Sequence, residues 1–194
     1  MLPTDLESLR AAVREGRTFG YRFFWGHRPS ADGALTDSVF SQWWPCRFEV
    51  DGQAYTTAEK FMMAGKARLF GDDEMLARIL ATDDPEECKA LGRKVRGFDG
   101  EKWSAHCVDL VTRGNVAKFS EARLGKYLLA TGEEILVEAS PMDRIWGIGL
   151  SRTAPDAKDP RTWRGKNLLG FALVRARAEI QASASRSRAN TSTR

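Results

Sequence analysis

The sequence predicts a single domain dominated by helices, with a few short strands before and after a helical middle. Three observations carry this. The chain has 194 residues, a length usual for one domain with a buried core. From Asp72 to about Ala130 apolar residues recur at helical spacing almost without a break. Short aromatic and β-branched runs of strand length flank that stretch on both sides.

Taken in order, Thr4 to Arg14 carries Leu6, Leu9 and Val13 at helical spacing and stops at Gly16, a short amphipathic helix within a leading segment, residues 1–18. Tyr21 to Trp25 reads as a strand, and His27 to Asp37, with Pro29 and Gly33, as a loop. Val39 to Pro45 and Arg47 to Tyr55 read as a strand pair, with Asp51-Gly52 supplying a hairpin turn. A helix over Thr57 to Phe70 follows directly. Beyond it, Thr82-Asp-Asp-Pro85 and Gly97-Phe-Asp-Gly100 divide the helical middle. Met75, Leu76, Ile79 and Leu80 fit one helix, Cys88, Leu91 and Val95 a second, Trp103, Cys107, Leu110 and Val111 a third, and Leu124 to Ala130 a fourth. Glu134 to Glu138 and Ile145 to Leu150 read as strands, and Asn167 to about Ile180 as the last helix. Gln181 to Arg194 has no apolar period and is expected to be a disordered Ser- and Arg-rich tail.

With 42% apolar and 29% charged residues the composition is that of an ordinary soluble protein. The net charge is +4, but Arg186, Arg188 and Arg194 lie in the last fourteen residues, so the body is close to neutral and makes a weak case for a nucleic-acid partner. Cys46, Cys88 and Cys107 have no paired spacing, and His27 and His106 are far apart. This is neither a disulfide framework nor a zinc site. With no signal peptide and no long apolar run, the expected location is a reducing cytoplasm, away from membranes. Nothing in the sequence sets an oligomeric state.

The stretch Thr57 to Phe70 holds the first chemical signal. At 100° per residue Glu59 and Lys66 share a stripe with Met62, Met63, Leu69 and Phe70, about 10 Å apart along the axis, while Lys60, Ala64, Ala67 and Arg68 point away. An amphipathic helix turns its apolar stripe inward, and buried charges are costly unless paired or used. The plainer alternative is a capping box, Thr56-x-x-Glu59, with Lys66 snorkelling to water. A second signal is Ser140-Pro-Met-Asp-Arg-Ile-Trp-Gly-Ile-Gly-Leu150, which places Asp143 and Arg144 in a turn with Trp146 behind. A carboxylate, a guanidinium and an aromatic face suit a site that grips a sugar or base and stabilises developing positive charge. Its alternative is an Asp that caps a turn and a Trp in the core. Gly147-x-Gly149 opens no helix, so it is not a dinucleotide fingerprint. Trp163 to Gly170 offers a helix start beside Arg164 and Lys166, either a phosphate seat or a helix capped by Asn167.

Together, Tyr55-Thr-Thr-Ala-Glu-Lys-Phe-Met-Met-Ala-Gly-Lys-Ala, Leu91-Gly-Arg-Lys-Val, Glu138-Ala-Ser-Pro-Met-Asp-Arg-Ile-Trp-Gly-Ile-Gly-Leu150 and Trp163-x-Gly-x-Asn-Leu-Leu-Gly170 resemble, in order and spacing, the NADAR (YbiA-like) family from about Tyr21 to Ile180. The resemblance implies an α+β fold, a single mostly helical domain with a small β-sheet over residues 19–180, and N-glycosidase activity. Members cleave the bond between ribose and an amino-pyrimidine in riboflavin-pathway intermediates, and others remove ADP-ribose from guanine. By position, Glu59 matches the family's catalytic glutamate, Lys66 its helix lysine, Asp143 and Trp146 its second acidic and aromatic pair, and Trp103 and Asn167 further pocket positions. Lys60 stands where many members have His and Met63 where many have Gln, so the likeness does not choose the substrate subclass.

The residues agree on their own chemistry. Cleaving a base–ribose bond passes through an oxocarbenium-like state, which calls for carboxylates near C1′, here Glu59 and Asp143. Lys66 is the third catalytic candidate, an amine able to capture C1′ as a Schiff base. Trp103, Trp146, Phe24 and Trp43 are candidates for stacking, Arg93, Arg144, Arg164 or Lys166 for phosphate, and Gly147 completes the ligand-facing set. No metal or redox cofactor is called for. The expected partner is a ribosylated small molecule or an ADP-ribosylated nucleobase, with nucleic acid as the alternative. A non-catalytic ADP-ribose-binding module would keep the aromatics and arginines without needing Glu59.

Overall fold

The structure is a computed structural model in which residues 2–191 are described. In chain order it contains α1 (Leu6–Arg14), β1 (Tyr21–Phe24), β2 (Phe48–Val50), β3 (Gln53–Tyr55), α2 (Ala58–Leu69), α3 (Asp73–Ala81), α4 (Pro85–Gly92), α5 (Gly100–Lys118), α6 (Ala122–Leu129), β4 (Ile135–Glu138) and α7 (Leu168–Thr191). The fold is α+β, mostly helical with very small sheets. Four helices of the middle start on acidic caps: Asp72, Asp84, Asp99 and Glu121 each accept backbone N–H groups of the first turn, which satisfies donors that have no partner within the helix.

β1 pairs in parallel with β4, Tyr21 opposite Ile135 and Phe24 opposite Glu138. A parallel pair needs a crossover, and the whole helical middle supplies it. β2 and β3 form an antiparallel hairpin. Its turn residues Asp51 and Gly52 both have positive φ, 52° and 75°, as a two-residue hairpin turn demands. Among the described residues no helix is long and apolar enough to cross a membrane.

α2 is central, packed by α3, α4, α5 and β3. The expectation that Lys60, Ala64 and Ala67 face outward is therefore corrected: all three are buried, and of that group only Arg68 is exposed. A helix covered on several sides has no polar face to present. Lys60 meets its burial by an ion pair with Asp83, Nζ to Oδ1 2.8 Å.

Two expected strands are absent, each because its backbone is bonded elsewhere. Val39 to Pro45 begins with a 3-10 turn over Asp37–Phe40 and continues irregularly. The carbonyls of Val39 and Ser41 accept from the buried Lys118 Nζ (2.6 and 2.8 Å), and that of Gln42 from the Glu59 N–H (2.9 Å). Ile145 to Leu150 is likewise a loop. The carbonyls of Ile145, Trp146 and Gly147 accept from the N–H groups of Leu168, Leu169 and Asn167. The same bonds occupy the N–H groups of Leu168 and Leu169 at the start of α7, which leaves that helix start fewer donors for a phosphate.

Asn167 does not cap α7 in the usual extended conformation. It has φ 54° and is buried, its Nδ2 donating to the Leu136 carbonyl (2.9 Å) and its Oδ1 accepting from the Glu138 N–H (3.0 Å). Gly170 permits this close approach, since a Cβ there would lie 2.0 Å from the Leu136 carbonyl oxygen. At the other end, the tail expected to be disordered instead continues α7 as far as Thr191. Its Ala, Gln and Arg residues favour helix, yet residues 181–186 bury nothing. Ser192 to Arg194 lie outside the described residues.

Candidate active site

Glu59 is the second residue of α2 and does not close a capping box. The cap is Thr57, whose hydroxyl accepts the Lys60 N–H at 3.1 Å, while the Thr56 hydroxyl donates to Asp83. With no capping task, the Glu59 carboxylate is buried at the junction of α2, α4 and the two loops that replace expected strands. Burial pushes its pKa up to about 7, opposed by Lys89, by hydrogen bonding from Trp43 and by Arg93, and reinforced by the charge of Asp143.

A second carboxyl group, one that sequence reasoning passed over, stands in the same cluster. Glu138 closes β4, and its Oε2 is sealed from solvent with no hydrogen-bond partner. Burial raises its pKa to about 8, with the charges of Asp143 and Glu59 adding to the rise and Lys89 opposing it. The signal available in the sequence was a carboxylate ending a wholly apolar run. Its meaning depends on the parallel pairing of β1 and β4, because ligands gather at the carboxyl ends of parallel strands. Lys89 of α4 was also missed; it lies one helical turn before Arg93, the residue that caps the end of that helix, and both cations act on Glu59.

Asp143 forms the turn that carries Trp146. Its Oδ1 accepts the N–H groups of Ile145 and Trp146, both at 2.8 Å, an Asx turn that leaves the charge close to Glu59 and Glu138. Trp43 is partly exposed, with the His27 ring 5.3 Å from its own and Lys89 Nζ 5.6 Å from its centroid. His27 joins this group to a cavity of about 470 Å³ beyond the end of β1, lined also by Trp25, Arg28, Asp37 and Arg152. A larger cavity of about 610 Å³, between the hairpin, α2 and α5, contains none of these carboxylates.

Thus Glu59, Asp143, Trp43 and Arg93 come together. Lys66 and Trp103 meet elsewhere on α2: Lys66 Nζ donates to the Gly92 carbonyl (2.8 Å) and sits 4.2 Å from the Phe98 centroid and 5.7 Å from that of Trp103. Desolvation lowers the pKa of Lys66. Phe24 is buried in the core against Phe40, and Asn167 is engaged with β4. Trp146 is partly buried against the main core. Arg144 is exposed, its carbonyl accepting the Lys166 N–H. Gly147 lies against the end of β4, where a Cβ would stand 2.9 Å from the Glu138 carbonyl oxygen.

The sequence pattern of the NADAR domain matches residues 23–181. The chain belongs to the NADAR family. This NADAR chain is 42% identical over 167 residues to N-glycosidase R617 of Acanthamoeba polyphaga mimivirus, a match that covers 83% of the chain and 96% of that protein. It is 32% identical over 136 residues to the chloroplastic riboflavin biosynthesis protein PYRR of Zea mays, covering 65% of the chain and 20% of that protein. The NMR structure of the E. coli protein YbiA aligns with it at a TM-score of 0.67 and 23% identity over 94% of this chain and 95% of that one, which shows a shared fold. The NADAR match spans Glu59, Lys66, Glu138 and Asp143 alike.

Proposed function

We propose that this chain hydrolyses the bond between ribose and an amino-pyrimidine in ribosylamino-pyrimidine phosphates of the riboflavin-pathway type. The coarser statement stands on family membership and on relatives across most of the chain: it is an N-glycosidase, a hydrolase of N-glycosyl bonds. The observation that carries the reading is the carboxyl cluster of the buried Glu59, of Glu138 with its Oε2 sealed from solvent, and of the partly exposed Asp143, faced by Lys89 and Arg93. Departure of the base leaves positive charge at C1′ and the ring oxygen. In a dry site a fixed carboxylate stabilises such charge far more than it would in water. Glu59, ionising near neutral pH, is the group suited to that task. Trp43 and Trp146 offer aromatic faces for the base, and Arg93 and Lys89 offer charge for a phosphate. The near-neutral body supports a small substrate over a polyanion, and the likeness to a plant protein named for riboflavin biosynthesis supports the same class.

The test is to incubate the purified protein with a ribosylamino-pyrimidine phosphate and, separately, with DNA carrying ADP-ribosylated guanine, following release of base and sugar by chromatography. Release from the pyrimidine at the higher kcat/KM is expected. The reverse ranking would move the substrate to ADP-ribosyl-guanine. Binding without release in either case would leave a binding module.

A further inference from the structure

We propose that Glu138 is a further catalytic residue of this site, the acid that delivers a proton to the nitrogen of the departing base. The inference rests on the N-glycosidase reading above and adds to it the source of the proton. Its first support is how firmly the backbone of this residue is held. The Glu138 N–H donates to Asn167 Oδ1 (3.0 Å) and its carbonyl accepts the Ile148 N–H (2.9 Å). Gly147 packs so closely against that carbonyl that no side chain fits there. Opposite it in the parallel pair stands Phe24, itself locked in the core. Glu138 thus has its Cα fixed by β1, by the loop after Asp143 and by the start of α7, and a group that exchanges a proton with a substrate needs such fixed geometry.

The second support is what the side chain lacks. Oε2 is buried without a hydrogen-bond partner, an arrangement that leaves the desolvation of that oxygen uncompensated and calls for an explanation in a folded protein. The groups facing it are Glu59 from α2, Asp143 from the loop and Lys89 from α4. Two carboxyl groups and one ammonium leave an excess of negative charge around it, and burial acts in the same direction. Burial raises both carboxyl groups, but Lys89, the hydrogen bond from Trp43 and Arg93 all favour the charged form of Glu59, whereas Glu138 has Lys89 alone set against two carboxyl groups. Glu138 is therefore the one of the pair that keeps its proton more firmly. Two carboxyl groups whose environments differ in this way can divide the acid and base roles between them.

The C1′–N bond breaks with its electron pair going to nitrogen, and that nitrogen takes the proton from Glu138, which becomes a carboxylate. Water adds to C1′ and gives its proton to Glu59. Proton exchange with solvent, or between the neighbouring carboxyl groups, restores the starting state.

The test uses the full chain, wild type, Glu138→Gln and Glu138→Asp, with a ribosylamino-pyrimidine phosphate as substrate. Glu138→Gln should keep the far-UV spectrum and melting behaviour while kcat falls about 100-fold or more, KM changes little, and the alkaline limb of the rate profile near pH 8 disappears. Glu138→Asp should lose part of the rate but retain that limb. A substrate whose base leaves as a stable anion should recover most of the Glu138→Gln loss, because such a base needs no proton. A Glu138→Gln enzyme with near wild-type kcat and an intact alkaline limb would overturn the assignment. Infrared difference spectra give a readout without turnover. A protonated-carboxyl band at pH 7 that the wild type shows and Glu59→Gln keeps, but that is lost when Glu138→Gln is added to the Glu59→Gln background, supports the proposal, and its absence from Glu59→Gln defeats it. A wild-type enzyme that cleaves neither substrate class, yet shows that band, would refute the N-glycosidase reading and not the protonated state of Glu138.

Discussion

The two ends of α2 carry charged groups on a single helical stripe, and the protein surrounds them differently. At the first turn Glu59 is enclosed, its N–H bound to the Gln42 carbonyl and its carboxylate set among Trp43, Lys89, Arg93 and Asp143. At the last turn Lys66 is only partly covered, its amine on the Gly92 carbonyl and against Phe98, a ring that is itself half exposed. Burial disfavours the charged form at both ends, so the acid is raised and the amine lowered. One end is therefore tuned by neighbouring charges as well as by burial, the other by burial alone. Which end bears the chemistry can be decided by breaking each in turn.

The largest effect is expected at Glu59. Glu59→Gln keeps the shape and removes the ionisable group, and kcat should fall by about 10²–10⁴-fold with the fold intact. The same variant has a signature in stability. The folded-state pKa of Glu59 is about 7 against an ordinary 4.5, so the folded protein binds more protons than the unfolded one across that window. Stability then declines as pH rises from about 4.5 to 7, by an amount on the order of 3 kcal/mol for this group, with no contribution below the window. Glu59→Gln should flatten that decline, giving a melting temperature that gains on the wild type at pH 8 relative to pH 5. An unchanged pH dependence would mean that Glu59 is solvated.

Next in size is Asp143, which acts on the same end from the neighbouring loop. Asp143→Ala removes both the charge beside Glu59 and the acceptor for the Ile145 and Trp146 N–H groups. It should lose most activity and about 1 kcal/mol of stability, comparable to losing a helix cap, which lowers the melting point by about 2–4 °C in a chain of this size. Asp143→Asn keeps the acceptor. If it restores stability without restoring the rate, the charge matters for catalysis; if it restores both, Asp143 serves only to shape the loop.

The inward placement of Glu59 was legible in the sequence because helical periodicity is local, and so were the hairpin at Asp51-Gly52 and the helices between Asp72 and Ala130. What was not legible depends on partners distant in the chain. Val39 to Pro45 has strand composition, but its carbonyls are claimed by Lys118, a buried lysine lowered to about 8 that no local pattern marks. Ile145 to Leu150 loses its strand to backbone donors around the start of α7. Glu138 gains its setting from a parallel pairing with β1, far away in sequence. Asn167 looked like a cap because caps are judged from neighbouring residues, whereas its amide is bonded to β4.

A smaller effect is expected at Lys66. Its lowered pKa makes the neutral amine more available than in an ordinary lysine, and an amine near a sugar whose C1′ has aldehyde character forms a Schiff base. Borohydride added during turnover should trap the sugar on Lys66, identified by peptide mapping, and Lys66→Arg should lower kcat less than Glu59→Gln does. An Arg variant with full activity and no adduct in the wild type would make Lys66 a packing residue of the Phe98 and Trp103 wall.

The smallest effect is expected where burial ends altogether. Ile180 still packs on the main core, but the side chains of residues 181–186 are all exposed, so nothing in that stretch shares the environment that tunes Glu59. Truncation after Ile180 should leave kcat and KM on a small ribosylated substrate unchanged. The segment removed carries Arg186, Arg188 and Arg194 and no acidic residue, so its contribution, if the substrate is a nucleic acid, is electrostatic. In that case the truncated protein should bind DNA more weakly, with the slope of log K against log salt flatter by up to about three, roughly one unit for each phosphate that an arginine no longer neutralises. A slope change of that size with an unchanged rate on the free small molecule would place the partner-binding function on α7 and the chemistry at the buried end of α2. A fall in the small-substrate rate would instead show that the exposed end of α7 reaches the site, and the contrast between the two ends of α2 would no longer be enough to locate the chemistry.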